Sequence, residues 1–290
     1  MPSCQVLNVR DNLLMIDCGE GAQLEMRRMR LKFSRLTHIF ISHLHGDHVF
    51  GLPGLLSTLA LQGKTGSLTI HIFKDGADYV QRTIDFFCRE RPYDLQFNII
   101  GTQPALIYDD DSITVNTIAL KHRVPCVGFL VAEKPKLRHI DPEAVAAHGV
   151  PQHFMHSLRQ GLDFVAPDGT VVPNDELTSA ADRAISYAYC SDTMYSPRVI
   201  EAVKGADWLY HEATYGDECQ QQAHNRYHST AREAAIAARE AGAKNLIIGH
   251  FSSRYDDETP LLEQAREVFP ATVLAHERLI VDLNHDIEEK

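Results

Sequence analysis

Residues 43–48 read HLHGDH, which places three imidazoles and one carboxylate within six positions. Neutral imidazole nitrogen and carboxylate oxygen are donors that zinc takes at open catalytic sites, where a coordination position is kept for water or substrate. Four such side chains on one short loop exceed what a single tetrahedral ion accommodates without strain. His43, His45, Asp47 and His48 therefore point to two adjacent ions. One histidine at a strand end is ordinarily a solvated or capped residue, but that explanation does not extend to four donors at this density.

Such donors converge only if the surrounding elements hold them. The apolar run THIFIS (37–42) reads as a strand delivering the motif into a loop, Gly46 permits a tight turn, and GLPGLLSTLAL (51–61) reads as the helix that follows. Three further donors stand just beyond apolar runs: His122 after ITVNTIAL, Asp192 after AISYAYC, and His250 after NLIIG. Strands of one sheet would bring their ends, and these side chains, together. Asp192 has the two oxygens needed to bridge both ions.

Short β-like runs recur along the chain at 12–17, 37–42, 68–73, 112–120, 126–132, 184–190, 208–212, 245–249 and 278–283. Helical patterns lie between them at 51–61, 75–90, 196–203, 230–241 and 259–268, with Thr230 and Glu233 spaced as a capping box. Thr259 is the N-cap candidate of the last, with Pro260 at its first helical position. This interleaving predicts an α/β chain of mixed sheets covered by helices. The stretch 133–181 has few β-branched runs and carries PDG at 167–169, so it reads as an arm inserted into a single domain spanning 1–290.

At 290 residues and 44% hydrophobic content the chain can bury a sizeable core. Neither a membrane-spanning apolar run nor a signal-peptide pattern is present, and the six scattered cysteines form no C-x-x-C pair, which predicts a cytoplasmic protein with reduced thiols. A net charge of -11 argues against sequence-blind adhesion to nucleic acid while leaving room for a local basic face. MRRMRLKFSRL (26–36) supplies one: Arg27, Arg28, Arg30, Lys32 and Arg35 with no acidic residue. Its spacing predicts an amphipathic helix with Arg28 and Lys32 on one face and Met26, Met29 and Phe33 turned inward.

SHLHGDHVFGLPGLL, DCGEG (17–21), LKHRVPCVGF, CSDT (190–193), HEATY (211–215), HST (228–230) and GHFSSRY (249–255) together resemble ribonuclease Z, the tRNA 3′-processing endonuclease family of the metallo-β-lactamase fold. The histidine motif alone marks only the superfamily; the other elements, in order, carry the resemblance to this family. The resemblance implies a four-layer αββα sandwich and two zinc ions per subunit. It assigns His43, His45 and His122 to one ion, Asp47, His48 and His250 to the other, and Asp192 to both. Asp47 is also a candidate base toward the attacking water. Glu212 and His228 fall on the HEAT and HST elements and become candidates for a proton relay to the departing 3′ oxygen. The partner implied is precursor tRNA, cut by a homodimer in which one subunit's arm presents it to the other's site.

Arg254 is a candidate phosphate contact, because a guanidinium fork fits phosphate oxygens. Lys136 and Arg138 on the arm are candidate contacts to the tRNA body, of the kind that read RNA by shape and backbone. Two features depart from the family pattern. Gln152, His153 and Phe154 stand where a glycine-proline element belongs, and the sequence begins beyond the first strand and glycine-rich turn, which predicts a missing edge strand. They keep two alternatives in view: a phosphodiesterase of this fold acting on another substrate, and a metal-binding RNA-binding protein inactivated by N-terminal truncation.

Overall fold

The computed structural model describes residues 2–287. The larger of its two compact units comprises Met1–Asp109, Thr114–Val131 and Ser186–Lys290. A first sheet is built from β1 (Gln5–Val9), β2 (Asn12–Ile16), β3 (Leu36–Phe40), β4 (Ser67–Ile72) and β5 (Asp94–Ile99), in that order. β1 and β2 form an antiparallel pair, and β2 to β5 run parallel.

The chain continues through β6 (Leu106–Asp109), β7 (Ile113–Ala119) and β8 (Val127–Glu133). It then enters the second unit, Asp110–Ile113 with Ala132–Ile185, which holds four short strands, β9 (His139–Ile140), β10 (Phe164–Val165), β11 (Val171–Val172) and β12 (Thr178–Ser179). Back in the larger unit, β13 (Ser186–Cys190), β14 (Trp208–Glu212), β15 (Asn245–Gly249) and β16 (Thr272–Leu274) complete a seven-stranded sheet ordered β16-β15-β14-β13-β8-β7-β6.

Period-two alternation assigns each strand residue to a layer. On β2, Leu13 and Met15 join the cluster containing Leu52, Leu55, Leu56 and Leu59 of the helix Leu52–Leu61. On β13, Ala188 and Cys190 pack with Ala231, Ala234, Ala235 and Ala238 of the helix Ala231–Ala241. The opposite faces meet in the middle: the Phe40 and Phe129 ring centroids are 5.5 Å apart, and Tyr189 stacks on Tyr210 at 4.9 Å. The result is helix, sheet, sheet, helix, with central parallel strands apolar on both faces. The four buried leucines contribute about 1.5–3 kcal/mol each. They anchor the preceding helix Gly46–Val49, whose single turn has no stability of its own.

Several sequence expectations need correction. RLIVDL (278–283) is not a strand: Thr272–Leu274 takes the sheet edge beside β15, and Arg278 turns left-handed at φ 64°. The helix expected over the basic segment stops at Arg28, because Arg30 has φ 58°, and a separate 3-10 turn Phe33–Arg35 follows. Met26 and Phe33 are buried as expected, and Arg27, Arg28, Arg30 and Lys32 are exposed. The Thr230–Glu233 capping box is complete, while Glu258 rather than Thr259 is the N-cap of the helix Thr259–Arg266. β1, β5 and β6 went unread in the sequence.

The second unit has its own core of Val145, Val150, Leu158, Phe164, Val172 and Leu177. The buried Asn174 amide ties it together by donating to the carbonyls of Leu158 (2.8 Å) and Leu162 (2.9 Å). Gln152–Phe154 forms a 3-10 turn there, and Phe154 packs edge-on against Phe164. No helix among the described residues is long and apolar enough to cross a membrane.

His71 on β4 is 2% exposed, with Nδ1 3.0 Å from the Asn98 amide nitrogen and Nε2 3.1 Å from His38. Burial, and then its neighbour His38, pushes its pKa down from 6.5 to about 3. Between those values the unfolded chain binds the extra proton, so this residue makes stability fall as pH drops below 6.5. Denaturant unfolding at pH 7 and pH 4 should show His71→Gln losing less stability on acidification than wild type, by on the order of 2–4 kcal/mol. Equal losses would exclude His71 as a source of the acid sensitivity.

Candidate metal centre

The seven donors expected from the sequence lie at the carboxyl ends of strands in the larger unit. His43 and His45 follow β3, Asp47 and His48 sit in the one-turn helix after it, His122 follows β7, Asp192 follows β13, and His250 follows β15. They form two groups. His43, His45, His122 and Asp192 can each place a donor atom within 4.8 Å of the others, and so can Asp47, His48 and His250. A third such group is Asp192, His228 and His250.

Asp192 faces both main groups with different oxygens. Oδ2 lies 3.5 Å from His43 Nε2 and 3.8 Å from His122 Nε2. Oδ1 lies 3.6 Å from His48 Nε2 and 3.3 Å from His250 Nε2. Asp47 Oδ2 is 3.5 Å from both His48 Nε2 and His250 Nε2.

Hydrogen bonds outside each group fix which ring nitrogen carries the proton. The buried Asp17 carboxylate accepts from Ser42 Oγ (2.9 Å) and from His48 Nδ1 (2.7 Å). With its proton given to Asp17, Ser42 Oγ accepts from His43 Nδ1 at 3.1 Å. Thr214 Oγ1 donates to Glu212 Oε2 and so accepts from His250 Nδ1 at 3.0 Å. His122 Nδ1 donates to the Tyr227 carbonyl at 3.1 Å. In all four rings Nδ1–H points outward and the Nε2 lone pair points into the site, the arrangement that outer hydrogen bonds impose on metal-binding histidines.

These donors suit a divalent metal. His48 Nε2 and His122 Nε2 are buried without a hydrogen-bond partner, an arrangement costly for a polar atom with no ligand to meet. His43 Nε2 and His45 Nδ1 are 3.0 Å apart, near the roughly 3.3 Å between two nitrogens on one tetrahedral zinc. Electrostatics divide the donors, lowering the pKa of the histidines of one group and raising that of His48 and His250 of the other. Burial pushes His43 down to about 3 and lowers His45 and His122, which keeps these imidazoles neutral. Burial would lower His48 too, but the Asp17 carboxylate outweighs it. The His250 and His48 imidazoles, each 3.5 Å from Asp47 Oδ2, hold the Asp47 carboxyl well below its ordinary range. Burial would raise Asp192, and the imidazoles around it, His250 foremost, hold it low instead. Both carboxylates are thus ionised at neutral pH.

Glu212 and His228 also meet here. Glu212 is fully buried and accepts from Thr193 N (2.9 Å), Thr214 N (3.1 Å), Thr214 Oγ1 (2.6 Å) and His228 Nδ1 (2.7 Å). It is therefore no solvated strand-end carboxylate. Arg254 lies over the Tyr215 ring at 5.0 Å and donates to Cys219 Sγ at 2.9 Å. Lys136 and Arg138 belong to the second unit and are each paired with an acid of that unit, Lys136 with Glu133 at 2.8 Å and Arg138 with Asp175. Asp17, Ser42 and Thr214 were missed in the sequence. Asp17 follows the apolar run NLLMI and was open to the same strand-end reasoning as Asp192.

Over 278 residues the chain is 49% identical to ribonuclease Z of Parabacteroides distasonis, covering 96% of this chain and 91% of that one. The chain belongs to the ribonuclease Z family. The family's protein from Bacteroides thetaiotaomicron is 50% identical over 282 residues, or 97% and 89% of the two chains. Human tRNase Z, short form, superposes with a TM-score of 0.67 at 25% identity, covering 97% of this chain and 92% of that one. The metallo-β-lactamase fold protein YhfI from Bacillus subtilis gives 0.65 at 18%, with 95% and 89% covered. A protein-family model described as anti-Pycsar protein Apyc1 matches residues 3–78, the stretch that holds HLHGDH. The metallo-β-lactamase fold expected for ribonuclease Z members is thus the fold of this chain.

Proposed function

We infer that the protein is a metal-dependent endoribonuclease that removes the 3′ trailer of precursor tRNA and leaves a 3′-hydroxyl. The observation that carries this reading is Asp192, whose two oxygens each face one donor group, in a chain of this family. His43, His45 and His122 would hold one zinc ion, Asp47, His48 and His250 a second, and Asp192 both. Two such ions lower the pKa of water and neutralise charge on the attacking and leaving oxygens of a phosphodiester.

The chain's own groups handle the protons. Asp47, ionised and half exposed, serves as a ligand and can also accept a proton from the attacking water. Water attacks phosphorus, the bond from phosphorus to the 3′ oxygen breaks, and the departing oxygen needs a proton. Glu212 holds His228 by Nδ1–H, so a second proton carried on Nε2 can pass to the departing oxygen and leave the ring neutral.

In this reading the protein is a cytoplasmic homodimer, a state supported by the exposed apolar side chains Leu61, Phe86 and Phe87. The second unit is the arm that grips the tRNA body. Its acidic residues outnumber its basic ones, so Lys136 and Arg138 would have to exchange their acidic partners for phosphates. Arg254, stacked beside the His228 neighbour Tyr215, is the candidate contact to a phosphate near the cut.

The test is cleavage of a precursor tRNA carrying a 3′ trailer by zinc-loaded protein, with product ends mapped. A cut just after the discriminator base that leaves a 3′-hydroxyl, and that a chelator abolishes, is expected. Hydrolysis of a simple phosphodiester without any cut in the precursor would redirect the assignment to another substrate. Loss of both activities would leave a metal-binding protein that does not cleave.

A further inference from the structure

Asp17 is tied to more than the histidine it orients. Besides Ser42 and His48, its Oδ2 accepts from the hydroxyl of Tyr189 at 2.7 Å, across the middle layer from β13. Tyr189 is fully buried, and a phenol has one proton to give. With that proton on Asp17, the contact at 2.8 Å between Tyr189 and Ser3 Oγ must have Ser3 as donor. Ser3 is itself held at both ends of its backbone. Its N–H donates to the Asp47 carbonyl at 2.8 Å, and its own carbonyl accepts from Gly19 N–H at 2.8 Å. Gly19 permits this approach, since a Cβ there would sit 2.4 Å from the Asp47 carbonyl oxygen.

One residue thus reaches two consecutive donors by separate routes, Asp47 through the backbone and His48 through two hydroxyls and a carboxylate. Asp17 bonds His48 directly but reaches the other group only at one remove, through the Ser42 hydroxyl that holds His43, while His122 is held by the Tyr227 carbonyl. We propose that Ser3 and Tyr189 form a hydrogen-bonded positioning relay that acts through Asp17 to set the His48 imidazole, and with it the ion position made by Asp47, His48 and His250. The relay rests on the two-ion reading above. Neither residue touches substrate or reacting atoms; both are positioning residues.

Cobalt titration of metal-stripped protein, followed by visible absorption and chelator competition, separates the two ion positions. Wild type should take two equivalents. Tyr189→Phe should keep one at wild-type affinity and weaken the other by about 10–100-fold, the usual effect of losing an outer hydrogen-bond partner. Ser3→Ala, at a partly exposed position, should shift the same equivalent in the same direction and carries the test if the buried substitution fails to fold. Tyr187→Phe is the control for losing a buried hydroxyl: Tyr187 lies two residues earlier on the same strand face and bonds Gln5, outside the relay. It should leave both equivalents unchanged. Unchanged isotherms for Tyr189→Phe and Ser3→Ala, or equal weakening of both ions, would overturn the relay. A wild type that takes only one equivalent would instead defeat the two-ion reading.

Discussion

Asp192→Ala should cost the protein at least one bound zinc per chain and lower precursor cleavage by about a thousandfold or more. Two cations a few ångströms apart repel strongly in a site that excludes water, and a shared anion offsets that repulsion. Among the described residues Asp192 is the one carboxylate placed to do so, because its oxygens lie 3.3–3.8 Å from nitrogens of both groups. Asp47 reaches only His48 and His250. Metal content by emission spectroscopy and cleavage rate should therefore fall together in this variant. Retention of two zinc ions and a rate near wild type would remove Asp192 from the bridging role.

Alanine at His228 should lower kcat by about 10²–10⁴ and leave KM and metal content in place. The residue is bonded to Glu212, so the two should act as one device. Glu212→Gln should produce a similar loss in rate and also reduce stability by about 1–3 kcal/mol. All four of its hydrogen bonds arrive from donors, two at each oxygen, and a glutamine would turn an NH2 group toward two of them. The double variant should be little slower than either single one, because groups that share a proton path are not additive. Multiplying effects would separate their roles. Loss of an ion in His228→Ala would instead make His228 a ligand, through the group it forms with Asp192 and His250.

The donor atoms were legible because metal ligands come from few residue types and these followed apolar runs. β14 and β15 coincide with WLYHE and NLIIG, and Glu212 and His250 stand at their ends. The groups that orient the donors were hidden for the opposite reason. Serine, threonine and tyrosine are common, and their role here comes from partners far away in the chain: Ser42 lies 25 residues from Asp17, and Tyr189 lies 172. Hydrophobic patterning also misplaces boundaries at two left-handed residues, Arg30 and Arg278. A positive φ at Arg30 or Arg278 leaves no mark in hydrophobic periodicity, which by itself runs the helix past Arg28 and puts a strand at 278–283.

The outward Nδ1–H bonds of His43, His48, His122 and His250 have a consequence for how the protein lives with its metal. Small zinc domains collapse when stripped, because the ion is what folds them. Here serine, aspartate, carbonyl and threonine hold the rings from outside the ion positions, and the leucine and alanine layers are built from apolar contacts that include no metal donor. Scarcity of metal should therefore silence the protein without unfolding it, and its output in a cell would rise and fall with zinc supply on the timescale of ion exchange rather than of protein synthesis.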